Sequence, residues 1–324
     1  MTKQTTLAAL LFVIITTAVF GDEEKITPSF SESIELKQNQ ILKTETNPYE
    51  RPTFEKKKKN VFITMGLTAL IPGLGHAYLD EFKKAGALAG SYGLGMGLHQ
   101  AQYQTNEYMY ADIITQNTRF YSMYAAYRDL REYNGELNYR FKMPQESITD
   151  LTLAPFQWSV IKKPEVWGGI LGAFTIGAAI SHLAHFDNGG AHIGCSVANS
   201  MYPLSAFPVG IGEEAFFRGY CQPAISEISN QTTGLIGSSL IFGAAHWFNA
   251  SNYSERNKRK YHSYIIPFIT SFGAYFGWLA QKNNSLKESV AVHAWYDFAI
   301  FLTSAIASGS IKESEPRFQM TFAF

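Results

Sequence analysis

Apolar and polar positions divide the chain into blocks of different character. An apolar stretch from Leu7 to Phe20 comes first, and a polar stretch follows to residue 60. Beyond it, apolar runs at 61–79, 85–101, 167–186, 192–212, 233–248, 264–280 and 289–307 are separated by charged segments. None of these runs shows sustained two-residue alternation, so the pattern predicts helices. None is a clean aliphatic 20-mer either, because polar residues are scattered through them. Membrane helices that bury polar groups inside a bundle have this texture. The expectation is an all-α protein, a polytopic membrane helix bundle preceded by an N-terminal signal or anchor segment.

The blocks suggest five regions. Residues 1–21 read as a signal peptide or membrane anchor, since the apolar stretch is short for a span, which needs about 20 residues. Residues 22–60 read as a polar linker. Residues 61–164 read as a membrane hairpin followed by a tyrosine-rich amphipathic cap, YSMYAAYRDLREYNGELNYRFK. The hairpin join, PGLGHAYLDEFKKAG, resembles the PGxGQxYxGxxxKG motif of small bacterial membrane proteins, with His76 and Asp80 replacing a glutamine and a glycine. Residues 165–310 form the next region. Residues 311–324 are a tail whose PRFQMTFAF alternates like a barrel strand but stands alone.

Composition agrees with this division. Lysine plus arginine and aspartate plus glutamate are 27 each, so no net charge draws the chain to nucleic acid. Charged residues are 17% of the chain, below soluble-domain usage, yet the mean hydropathy is only −0.09. The charges must therefore be segregated into loops. Cys195 and Cys221 form no disulfide framework and read as buried thiols. Basic clusters stand at Lys56–Lys59, at Arg128–Lys163, and at Arg256, Lys258, Arg259 and Lys260. If 210–226 crosses as its own helix, all three fall on one face, which favours about eight spans after residue 60 with that face cytoplasmic. A cleaved leader would put Lys56–Lys59 on the outside, so leader and loop charges disagree.

Within the apolar region lies GIGEEAFFRGY. Positions i and i+4 share a helix face, so Glu214 and Arg218 are paired by spacing while Glu213 points elsewhere. Carboxylates in different surroundings can take different acid–base roles. FGAAH places Phe242 and His246 at i,i+4, and HAWYD does the same for His293 and Asp297. One such site reads as a hydrogen-bonded core residue. Three on three membrane-like helices point to function, because intramembrane ionisable groups are costly.

In that order, EEAFFR, FGAAH and HAWYD resemble the EExxxR, FxxxH and HxxxN/D motifs of the CPBP group. These are intramembrane glutamic endopeptidases that include the type II CAAX prenyl proteases and bacterial Abi proteins. The resemblance covers roughly residues 165–310. It implies a metal-independent, cofactor-free endopeptidase that hydrolyses a peptide bond with a glutamate-activated water. Glu213 would be the general base for a water held with His246, and Glu214 and Arg218 would orient it. His293 and Asp297 would stabilise the oxyanion. Some members have asparagine at the last position, and an ionised aspartate cannot donate to an oxyanion. Either Asp297 is protonated, or it orients His293 and keeps it cationic while His293 donates; by analogy with carboxylate–histidine pairs the second is the expectation.

The resemblance also implies membrane lipid as surroundings and a hydrophobic or lipid-modified peptide as substrate. The expected location is integral to a membrane, the bacterial inner membrane. A metal reading has one foothold, the cluster His182, His185, Asp187 and His192, but it has no general-base glutamate and no HExxH accompanies it. A second reading is a non-catalytic CPBP-like scaffold or bacteriocin-immunity protein, and a third is a buried polar network that only specifies helix packing. A transporter would show internal repeats, and none is visible.

Overall fold

The computed structural model describes residues 57–102, 109–138, 140–184 and 202–307. The signal or anchor segment, most of the linker, the tail, and His185, Asp187, His192 and Cys195 lie outside the described residues. Within them every regular element is helical, as the sequence pattern predicts.

Helix α1 (Val61–Leu70) starts where the Asn60 side chain accepts from the amides of Phe62 and Ile63. Its ten residues reach only about 15 Å. Gly73 then turns the chain at φ +95°, where a Cβ would lie 2.3 Å from the Ala85 carbonyl oxygen. Helix α2 (Leu74–Tyr78) returns it, and Lys59 meets Asp80 at 3.1 Å. The first apolar run is thus a re-entrant half-hairpin and does not traverse the bundle.

Seven helical runs of the described residues do traverse it. They are α3 (Phe82–Gln102), α4 (Met109–Tyr133) and, after the short α5 (Ile148–Leu153) and α6 (Trp158–Ile161), α7 (Pro164–Ala184). The fourth is continuous through α8 (Ala206–Glu214), a π-helical turn (Ala215–Cys221) and α9 (Gln222–Ile228). The others are α10 (Gln231–Ala245), α12 (Ile266–Asn283), which follows α11 (Glu255–Lys260), and α13 (Lys287–Ala307).

Two sequence expectations change here. The tyrosine-rich segment read as a cap is α4, and it packs in the interior against α1, α3, α8 and the π turn. Several of its polar groups find partners there: Tyr124 Oη and Arg128 Nη1 donate to the Glu146 carbonyl oxygen at 3.1 and 2.7 Å. Asp129 accepts from Arg128 and Lys84.

The second change concerns the basic clusters. One end of the bundle gathers the pairs Lys58–Glu136, Arg131–Glu227, Lys282–Glu165 and Lys287–Asp150. Because 206–228 is one run and not two spans, α10 leaves that end and arrives at the other. There His262 stacks on Trp247 with ring centroids 3.9 Å apart. Arg256, Lys258, Arg259 and Lys260 therefore sit opposite the first two clusters, and the charge argument for eight spans fails. Among the described residues no helix is long and apolar enough to cross a membrane.

Candidate active site

The site forms where α8, the π turn, α10, α12 and α13 meet. Close approach of α8 to α13 depends on Gly210, whose added Cβ would lie 3.0 Å from the Ala294 amide nitrogen. That approach brings the paired glutamates at the end of α8 to His293.

Glu214 and Glu213 then diverge. Glu214 is fully buried, and its Oε1 accepts from Arg218 Nη1 at 2.9 Å and lies 2.8 Å from His293 Nδ1. Arg218 Nη2 donates to the Gly273 carbonyl oxygen at 3.0 Å. The guanidinium lies over the Phe242 ring at 4.2 Å, with Phe276 at 5.1 Å, which shields a charge that water cannot reach. Glu213, also buried, has no direct hydrogen bond among the described residues. Its nearest charged neighbour is His293 Nε2 at 3.7 Å, beyond hydrogen-bond range.

His293 is the hub. Its ring stacks on Phe276, centroids 5.0 Å apart and 14° from parallel. Nδ1 faces Glu214, and Nε2 lies 3.3 Å from Asp297 Oδ2. His246 caps α10 and is half-buried, with Nδ1 2.8 Å from the Phe242 carbonyl oxygen. A carbonyl only accepts, so Nδ1 carries the proton and the Nε2 lone pair is left for another partner. His246 and Glu213 lie near enough to influence one another electrostatically. All six residues singled out in the sequence therefore belong to one cluster.

Sequence reasoning missed the supporting residues. Gln222 Nε2 donates to the Gly277 carbonyl oxygen at 3.0 Å, repeating one turn on the contact between Arg218 and Gly273. The signal was present in FGAYFG, a small-xxx-small pair that lets α12 come close. Ser238 Oγ donates at 2.7 Å to the Phe217 carbonyl oxygen in the π turn. The π turn itself was also missed, although such turns recur at functional sites. Of the metal-type cluster only His182 is described, exposed near the end of α7. Among the described residues no group of three His, Cys, Asp or Glu is placed to hold a metal ion.

Residues 195–299 match a family model described as Type II CAAX prenyl endopeptidase Rce1-like. No curated protein and no solved structure matches the chain. The matched segment contains all three motifs and every residue of the cluster, so over that third of the chain the protein is similar to the type II CAAX prenyl endopeptidases.

Proposed function

We propose that the chain is a metal-independent intramembrane endopeptidase whose nucleophile is a water activated by Glu213. The observation that carries this reading is the division between the adjacent carboxylates. Glu214 is committed to Arg218 and His293, while Glu213 has no hydrogen bond among the described residues and lies within electrostatic reach of His246 and His293. A water between Glu213 and His246 would donate one hydrogen to the Glu213 carboxylate and the other to His246 Nε2, leaving a lone pair for a peptide carbonyl carbon. Glu213 takes the proton as the C–O bond forms, and returns it to the departing amine as the C–N bond breaks. His293, with a carboxylate at each ring nitrogen, supplies positive charge beside the developing oxyanion. Asp297 holds it there.

The membrane setting is supported by the family and by the surface. Phe62, Leu171, Leu183, Ile236 and Leu240 are large exposed apolar side chains on the helices. Exposed Trp158, Trp167 and Trp278 lie toward one end of the bundle and Trp247 lies at the other. Apolar midsections between tryptophan-bearing ends match a bilayer and its two interfaces. A hydrophobic or lipid-modified peptide is the substrate class that would reach such a site.

The test compares peptides released by membranes carrying the native chain with those carrying Glu213→Gln, with and without a chelator. Products that vanish in the variant at equal abundance, and persist with chelator, are the expected result. Unchanged products in the variant refute the reading. Loss of folding in the variant favours a polar network that only specifies packing.

A further inference from the structure

Of the three basic clusters, the one on α11 stands apart. Arg256, Lys258, Arg259 and Lys260 lie within six residues and share one carboxylate, Glu255, 2.8 Å from Lys258. Glu255 is the only acidic residue in the sequence between Glu227 and Glu288, so neither flanking helix brings another. The opposite end of the bundle is built differently, because there Lys58, Arg131, Lys282 and Lys287 each meet a carboxylate from a distant segment. No side chain of α11 is buried, and those of Arg256 and Arg259 are exposed. The segment thus carries an excess of three positive charges at the surface.

Its surroundings identify the anion. Exposed Ile236 and Leu240 on α10 continue, at helical spacing, to exposed Trp247 and Phe248, and exposed Tyr264 closes the loop. The loop is packed against the ends of α10 and α12: Tyr261 is buried against Ala250, Tyr253, Ile265 and Ile266. His262 stacks on Trp247, and its Nε2 donates to the Trp247 carbonyl oxygen at 3.0 Å. Apolar stripe, aromatic rings and basic run therefore follow one another from the middle of the bundle to its end. That order matches hydrocarbon, interface and charged headgroup.

We propose that the loop from Trp247 to Tyr264 is a docking surface for anionic phospholipid headgroups in the leaflet at that end of the bundle. Arg256, Lys258, Arg259 and Lys260 meet the phosphates, and Trp247, Phe248 and Tyr264 sit at headgroup level. An anionic surface favours each basic side chain about fivefold, so the four together enrich such lipid strongly over a zwitterionic one. A soluble phosphate would gain from the charges but nothing from the rings. The loop also bears on the site. Trp247 directly follows His246, so lipid held by the loop steadies the residue proposed to hold the water. The lipid site rests on the membrane setting proposed above, and its effect on turnover rests also on the proposed reaction.

Fluorescence of the full-length chain in phosphatidylcholine vesicles tests it, with a minor fraction of either brominated phosphatidylglycerol or brominated phosphatidylcholine as quencher. The Trp247 contribution is the part of the signal lost in Trp247→Phe. Brominated phosphatidylglycerol should quench it more than brominated phosphatidylcholine does. The excess should vanish in about 1 M salt, where the screening length falls to about 3 Å. It should vanish also when Arg256, Lys258, Arg259 and Lys260 are replaced together by glutamine, which keeps the helix propensity of α11. Equal quenching by the two lipids in the native chain overturns the proposal, whether or not the variant folds. So does an excess that survives salt, or one that inorganic phosphate abolishes at constant ionic strength, since the ligand is then a soluble anion. In the released-peptide assay the native chain should be faster in vesicles containing phosphatidylglycerol. The fourfold variant should lose that difference while keeping the rate seen in phosphatidylcholine alone. A native rate indifferent to the lipid overturns the link to His246. Failure of the catalytic reading shows separately, as Glu213→Gln with unchanged products, whereas the quenching should be the same in Glu213→Gln as in the native chain.

Discussion

Replacing Arg218 by methionine tests whether its pairing with Glu214 makes burial of the motif tolerable. Methionine keeps most of the side chain's length and its contact with Phe242 and Phe276, but removes the donors to Glu214 Oε1 and to the Gly273 carbonyl oxygen. Glu214, fully buried, is left with His293 as its one charged partner. Removing one partner of a buried pair costs about 3–5 kcal/mol, because the remaining charge is stranded. That is roughly two to four orders of magnitude in the unfolding equilibrium. Adding Glu214→Gln removes the stranded charge, and the double variant should recover most of the loss, since apolar replacement of a whole buried pair is often neutral. Activity should not recover with it, because His293 has then lost the carboxylate at Nδ1. Reversible unfolding in mixed micelles, followed by circular dichroism, measures the first effect, and peptide release measures the second. A single variant within about 1 kcal/mol of the native protein refutes the reasoning, given the size expected for a stranded buried charge. So does a double variant no more stable than the single one.

Three further outcomes are expected. Gly210→Ala sets a Cβ 3.0 Å from the Ala294 amide nitrogen and 3.2 Å from its Cα, both backbone atoms that cannot rotate away. Unfolding should register about 1–3 kcal/mol of overpacking, and peptide release should fall as α8 moves off α13; native activity would show that this approach does not set the site. Asp297→Asn keeps an acceptor for His293 Nε2 and should retain more activity than Asp297→Ala, so a reversed order in the same assay contradicts the orienting role. With Cys195 and Cys221 replaced, Lys162→Cys and Asn252→Cys put single thiols at exposed positions on opposite ends of the bundle. An impermeant maleimide should label one in intact cells and the other only after permeabilisation; labelling of both in intact cells would sink the membrane-spanning reading.

The cluster was legible because its logic is local and periodic. Glu214 with Arg218, Phe242 with His246, and His293 with Asp297 are each one helical turn apart, and that spacing survives whatever the helices pack against. Their convergence was legible only through the family motifs, since no periodicity says which three helices meet. The traverses were misjudged where chain geometry departs from hydropathy. Residues 61–79 are mostly apolar yet turn back, because the helix ends at Leu70 before extended Ile71 and then Pro72, and left-handed Gly73 beside the Ala85 carbonyl then starts the return helix. Residues 192–226 read as two spans because that count puts all three basic clusters on one face. In the structure Pro208 lies in the first turn of α8, where its missing amide hydrogen costs nothing. The burial of α4 was hidden by its polarity, since Arg128, Asp129 and Tyr124 look solvated until their partners on other segments are known.

The π turn was invisible for another reason, although its cause is written in the sequence. Pro223 has no amide hydrogen, and its ring clashes with the carbonyl four residues earlier, so an α-helix cannot run unaltered through it. The turn before it widens, and the Gln222 amide bonds back to the Phe217 carbonyl oxygen. The second π turn, Tyr261–Ile265, stands in the same relation to Pro267, and there the Ile266 amide bonds to the Tyr261 carbonyl oxygen. At the site this widening has a geometric consequence. Each four-residue step along an α-helix overshoots a full turn by about 40°. A turn closed by i→i+5 bonds holds more residues, so the same step undershoots and cancels that drift. Glu214, Arg218 and Gln222 are thereby kept in a column, and the last two meet the carbonyls of Gly273 and Gly277 in register. With its neighbour locked in that column, Glu213 is left outside it, 3.7 Å from His293 Nε2. Pro223 carries no ionisable group, yet it accounts for a helix geometry that sets two adjacent glutamates in different surroundings.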